Sequence, residues 1–186
     1  MADNGSFFQD TREPHVVGGT VPAAVTLADT DKALYTTSSF PFLGGQYFAR
    51  AGKKIRIRLT GIMTSAATPG NGSFAIYYGS GADATGVLLV QGAAVALTAN
   101  QANMMWIAEF TIECITIGNA GTLRATGWAM FNEAIQAAHM LIPATVGAVS
   151  GACDLTAANI ISVQYKRSGS TAETMQVLSM DVTAMN

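Results

Sequence analysis

Between Asn103 and Asn132, two long runs rich in β-branched and aromatic residues, MMWIAEFTIECITIG and TLRATGWAMFN, are separated only by Asn119-Ala120-Gly121. A glycine-containing connection this short between β-type runs is the signature of an antiparallel hairpin. In the first run Phe110, Ile112 and Cys114 alternate with Glu109, Thr111 and Glu113, the period of two of a strand with one buried face. A hairpin of this length needs a second layer over its apolar side, so an all-β chain is expected.

The rest of the chain follows the same grammar. Strands are predicted over Ala33 to Ser38, Phe42 to Ala49, Lys53 to Thr64, Ser73 to Gly79, Gly86 to Gln91, Asn103 to Ile117, Thr122 to Asn132, Met140 to Val146, Asn159 to Arg167 and Thr174 to Thr183. Breakers such as Ala51-Gly52, Pro69-Gly70-Asn71-Gly72 and Ser168-Gly169-Ser170 punctuate them. About eight to ten strands at such spacing predict a sandwich or barrel. Alternation is clearest from Lys53 to Met63, where Ile55, Ile57, Leu59 and Met63 face one way and Lys54, Arg56, Arg58 and Thr60 the other. One segment, Asn132 to Leu141 (NEAIQAAHML), has helix-forming residues and competes as a helix, although Pro143 and the β-type residues after it suit an edge strand or a loop. Asp154 is placed to cap a short turn over Leu155 to Asn159.

Residues 1–30 read differently. They mix charged and polar residues with two adjacent aromatics, Phe7 and Phe8, and lack period-two order, so an N-terminal arm laid on a partner is expected ahead of a single domain over residues 31–186. Only 12% of the 186 residues are charged, about half the usual ~25% of a soluble domain. With so little charge, much of the nominal surface is expected to face other protein, which favours an obligate oligomer or assembly subunit. No apolar run approaches the ~20 residues of a membrane helix, and the first residues have neither the basic start nor the apolar stretch of a signal peptide.

Catalytic patterns are missing from the sequence. His15 and His139 stand far apart, the two cysteines form no Cys-x-x-Cys pair, and Gly79-Ser80-Gly81 lacks the spacing of a nucleophile elbow. Cys114 and Cys153 are expected as free thiols, the first a small core residue. Asp29-Thr30-Asp31 reads as a polar turn rather than a calcium loop, which needs six to eight oxygens. No catalytic, cofactor or metal residue is therefore assigned. The exception to a weakly acidic chain of net charge −2 is a basic run: Arg50, Lys53, Lys54, Arg56 and Arg58 supply five of the ten basic residues. Three readings are open for it: a solvated or cross-strand-paired face with Glu109 and Glu113 as partners, a contact with an acidic protein surface, or nucleic acid, the last disfavoured because no aromatic residues are interleaved. Tyr77, Tyr78 and Trp128 are either core residues or a sugar-binding platform.

Taken in order, RAGKKIRIRLTGIMTS, NGSFAIYYGSG, the hairpin region from Gly86 to Phe131 and DLTAANIISVQYKRSGSTAETMQVLSMDV resemble the jelly-roll structural proteins of tailed-bacteriophage virions, among head-decoration, minor capsid and tail components. The shared features are a strand framed by Gly52 and Gly61, an aromatic strand ending at Gly79, and a Trp106-led strand turned back into GTLRATG. The resemblance spans about Ala33 to Asn186. It implies a single jelly-roll-type antiparallel sandwich, a homotrimer acting in the virion as a non-enzymatic building block bound to a major capsid or other virion protein. Neither nucleic acid nor membrane is expected as a direct partner, and no cofactor. Candidate interface residues are Phe7, Phe8, Arg50, Lys53, Lys54, Arg56 and Arg58. The alternative is a carbohydrate-binding or adhesion module of a tail or baseplate.

Overall fold

Strands fill the computed structural model, which describes residues 11–12, 23–35, 42–43, 47–79, 82–132, 138–143, 147–168 and 173–185. Among these the strands are β1 (Thr11–Arg12), β2 (Val25–Thr26), β3 (Lys32–Ala33), β4 (Phe42–Leu43), β5 (Lys54–Thr64), β6 (Asn71–Gly79), β7 (Val87–Gln91), β8 (Val95–Ala96), β9 (Met104–Thr116), β10 (Thr122–Phe131), β11 (Ala138–Ile142), β12 (Asn159–Arg167) and β13 (Thr174–Met185). They form two antiparallel sheets packed as a sandwich. The larger runs β1-β13-β5-β9-β10-β11, with β2 also on β13. The smaller runs β3-β12-β6-β7, with β4 on β12 and β8 on β6.

Each long strand sends alternate side chains inward. Ile55, Ile57, Leu59 and Met63 of β5 and Trp106, Ala108, Phe110, Ile112 and Cys114 of β9 are buried from the larger sheet. Phe74, Ile76 and Tyr78 of β6 and Ile161, Val163 and Tyr165 of β12 meet them from the smaller one. Phe74 is the hub: its ring centroid lies 4.8 Å from Tyr165, 5.5 Å from Trp106, 5.8 Å from Phe110 and 6.1 Å from Phe131. Such aromatic pairs contribute roughly 0.5–1.5 kcal/mol each beyond their buried area. The indole of Trp106 fits only because β5 carries Gly61 opposite it. A Cβ there would overlap the Gln176 carbonyl oxygen and stand 2.5 Å from the Trp106 ring.

The hairpin forms as expected, with Gly118 at φ 101° and the Gly121 N–H donating to the Gly118 carbonyl at 3.2 Å. Other boundaries move for reasons of packing. The strand expected from Met140 starts at Ala138 and ends at Ile142, so the second half of NEAIQAAHML is extended; residues 133–137 lie outside the described part. Extension suits this stretch because Met140 and Ile142 are buried while His139 and Leu141 point out. The strand expected over Ala33 to Ser38 pairs, among the described residues, at Lys32–Ala33, then bends so that Leu34 and Tyr35 both drop into the core; residues 36–38 lie outside the described part. Likewise Phe42–Leu43 pairs with β12, but the chain turns at Tyr47 and Phe48, whose rings meet edge to face at 5.0 Å. β8 is a strand that the sequence pattern did not reveal. Asp154 does cap its turn, its Oδ1 accepting from the Thr156 N–H at 2.9 Å and the Thr156 hydroxyl at 2.6 Å.

The described parts of residues 1–30 are joined to the sandwich. β1 and β2 both pair with β13, at Thr183/Val182 and at Thr174/Met175. Leu27 lies in the core, its N–H donating to the Glu173 carbonyl at 2.9 Å. A buried ion pair fastens the same corner: Arg167 Nε stands 2.7 Å from Glu173 Oε2 and 3.3 Å from the Leu27 carbonyl oxygen. Phe7 and Phe8 lie outside the described residues.

Candidate interaction surface

The outward-facing side chains of the larger sheet are set by strand register. Three cations, Lys54, Arg56 and Arg58, stand in a column on β5. Across the next gap β9 presents Glu113, Thr111 and Glu109 at the same heights. Arg58 therefore has Glu109 on one side and Asp181 of β13 on the other. Arg56 sits between Thr111 and Thr183, the latter buried, so the open part of the face begins at β5. Toward the other end of the strands the same columns turn apolar. Thr60 is level with Ile107 and Met130, and Ile62 is level with Met105, which is 47% exposed. Trp128 of β10 is opposite Leu141 of β11, and Leu141 is 75% exposed.

Glu113 is the electrostatic centre. Arg124 approaches its Oε2 at 2.7 Å and Lys54 its Oε1 at 3.6 Å. The hydrogen bond from Arg124, helped by the Lys54 charge, holds this carboxyl below the usual range despite some desolvation. The cross-strand reading of the basic run thus holds for Lys54. Arg50 and Lys53 lie in the turn before β5 and do not join the column; the Lys53 ammonium stands 4.8 Å from the centre of the Tyr47 ring. Because acids in register offset the cations, the face is a checkerboard of charge and offers no continuous positive field to a polyanion.

The outer face of the smaller sheet is closed by the chain itself. Ser73, Ala75 and Tyr77 of β6 and Ser162 and Gln164 of β12 point away from the core, yet all are buried. Gln164 Nε2 donates to the Ala82 carbonyl at 2.9 Å and to Ser162 Oγ at 3.0 Å, while its Oε1 accepts from the Ala84 N–H at 2.8 Å. Asp83 in this loop accepts from the Ala33 N–H and from Lys32 Nζ, both at 2.8 Å. Burial works against its ionisation, but these hydrogen bonds and the Lys32 charge leave its carboxyl below the usual range. Tyr77 donates its phenol proton to Asp31 Oδ2 at 2.7 Å; burial first, and Asp31 second, raise that phenol well above its ordinary value.

This geometry decides between the readings of the aromatic residues. Tyr77 and Tyr78 are buried on opposite faces of β6, so they form no sugar platform. Trp106 is core, and among residues with described side chains Trp128 is the one exposed aromatic. Cys114 and Cys153 are free and buried, and burial raises both thiols, reinforced at Cys114 by the charge of Glu113. Among the described residues no three His, Cys, Asp or Glu gather closely enough to hold a metal ion. Sequence reasoning missed Ile62, Met105, Met130 and Leu141 as outward residues. The signal for the first three was the phase of β5, β9 and β10, which places them on the same side as Arg58, Glu109 and Trp128.

A scan against protein-family models finds no match, and a search of curated proteins finds no similar sequence.

Proposed function

We propose that the chain is a non-enzymatic structural subunit of a tailed-phage virion, a capsid decoration or minor capsid protein that stabilises the shell as a self-associating, trimeric building block. The observation that carries this reading is the outer face of the larger sheet. It combines exposed Met105, Trp128 and Leu141 with a charge checkerboard, in a chain whose overall charge is low. Apolar centres with charged surroundings are how protein interfaces are made. The resemblance supports it too, since its glycine-framed strand is β5 and its Trp-led hairpin is β9–β10. The jelly-roll wrap belongs to the same proposal. It is supported by the way β12 and β13 return to lie beside β6 and β5. The interleaved acids favour a protein partner over nucleic acid. A carbohydrate-binding module draws less support, because it needs several exposed aromatics and among residues with described side chains Trp128 is the one.

The test is retention on particles that lack their own copy of the protein. The full chain is expected to co-sediment with them and to raise their thermal stability; no binding overturns the proposal. Deleting residues 1–10, which include Phe7 and Phe8, is expected to leave circular dichroism unchanged and weaken retention tenfold or more, about 1.4 kcal/mol. Equal retention would show that attachment does not use those aromatics.

A further inference from the structure

We propose that the outer face of β5 and β9 is a contact between two copies of this chain, packed face to face about a two-fold axis that runs parallel to the strands between β5 and β9. This deepens the self-association in the proposed function but does not require a virion. The argument is charge complementarity set by register. An axis along the strands keeps each residue at its own height and exchanges the two columns. It therefore lays Lys54 over Glu113 and Arg58 over Glu109 of the second copy, and Ile62 over Met105. Apolar end meets apolar end, Lys54 and Arg58 each gain a further acid, and Arg56 lies over Thr111. A two-fold across the strands fails, because it stacks β5 on β5 in reverse and so sets cation on cation where it crosses the charged end, or the apolar end against the charged one where it crosses the middle. The Lys54–Glu113 pair, 3.6 Å apart within one copy, becomes half of a square of alternating sign. Such a contact is isologous and self-complementary, the commonest way a homo-oligomer closes. The smaller sheet offers no equivalent, since its outer face is already covered by the segment around Asp83.

The experiment is sedimentation velocity of the full chain, of Arg58→Glu and of Glu109→Arg, at about 100 μM, tenfold above a dissociation constant of ~10 μM. The wild type is expected as pairs, or as pairs of trimers if a separate three-fold contact exists. Each variant alone should associate at least tenfold more weakly. An equal mixture of the two should recover pairing, because the acidic face of one then meets the basic face of the other. A monomeric wild type, undiminished association of either variant, or a mixture that stays apart overturns the inference. Circular dichroism checks that the variants fold. Independently of them, a nitroxide on Thr111→Cys should read a separation within roughly 20 Å in the pair, given a sheet spacing of ~10 Å and a strand spacing of ~5 Å. A distance beyond twice that excludes this axis. A chain that stays monomeric yet binds particles sinks this inference together with the self-association in the proposed function but spares the virion role; pairing without particle binding upholds this inference and sinks the virion role.

Discussion

The two sheets share one core but differ in what lies on their backs. On the smaller sheet, Gln164 and Tyr77 point outward and are buried, held by the Ala82–Ala84 backbone and by Asp31. On the larger sheet, residues in the corresponding outward phase of β9 and β10, such as Met105 and Trp128, remain open. The covering of the smaller sheet is polar, and Gln164, Tyr77, Ala33, Ala84 and Lys32 each donate to a named acceptor in it. The open face has apolar side chains that are exposed among the described residues, and charges that only partly satisfy one another. One face is hydrogen-bonded shut and serves the fold; the other is the face proposed above for association.

That division sets a scale of expected effects. Trp106→Ala, which empties the centre of the sandwich, should lower unfolding free energy by about 3–5 kcal/mol, whereas Trp128→Ala should cost less than ~1 kcal/mol; chemical denaturation of both reads the contrast. Equal losses would mean that the two faces of β9 and β10 are wrongly distinguished. Arg167→Ala, which removes the cation from the buried Glu173 carboxylate, is expected to cost about 3–5 kcal/mol, while Arg58→Ala on the open face should stay within ~0.5 kcal/mol. Gln164→Ala tests the closed back directly. It removes the side-chain acceptor of the Ala84 N–H and one of the donors to the Ala82 carbonyl, which keeps the Thr85 N–H and hydroxyl, so a loss of about 1–3 kcal/mol is expected, with faster hydrogen exchange confined to residues 82–86. Unchanged exchange there would show that the loop holds itself.

The smallest effect is electrostatic. Because Glu113 has a depressed pKa in the folded state, its pairing contributes stability above the ordinary carboxylate range and loses it as pH falls through the folded value. Glu113→Gln should therefore be less stable than wild type by about 0.2–1 kcal/mol near neutrality, with the difference shrinking toward zero in acid. A difference that grows in acid would reverse the assignment.

Where the chain announced its fold, one face of a strand was polar. The alternation of Ile55, Ile57 and Leu59 with Lys54, Arg56 and Arg58 gave both the strand and its orientation, and the same held for Phe110 and Ile112 against Glu109 and Glu113. The run SFAIYY of β6 carries no such alternation because both its sides are covered, so Tyr77 and Tyr78 could not be told apart until the covering loop was seen. Arg167 and Glu173 look like ordinary turn-flanking charges; only the meeting of β12, β13 and Leu27 at one corner makes them an interior pair. The candidate surface was half legible for the same reason. Its charged end stood out against a charge-poor chain, while Met105 and Leu141 resemble core residues until the register turns them outward.

The pairing of β5 with β13 also constrains how the molecule is made. Lys54 lies opposite Met185 and Thr64 opposite Thr174, so an early strand finds one of its two neighbours only at the far end of the chain. At roughly 5–20 residues per second of synthesis, β5 waits on the order of ten seconds after emerging before that neighbour exists. During that interval its backbone can pair with β9 on one edge alone, and the other edge stays open to strands of nascent chains nearby. Long-range closure of this kind makes folding slow relative to a local meander. The cations of β5, charged and mutually repelling along one face of the waiting strand, then act as its guard against premature pairing with its own kind, before the acids of β9 and Asp181 arrive to neutralise them.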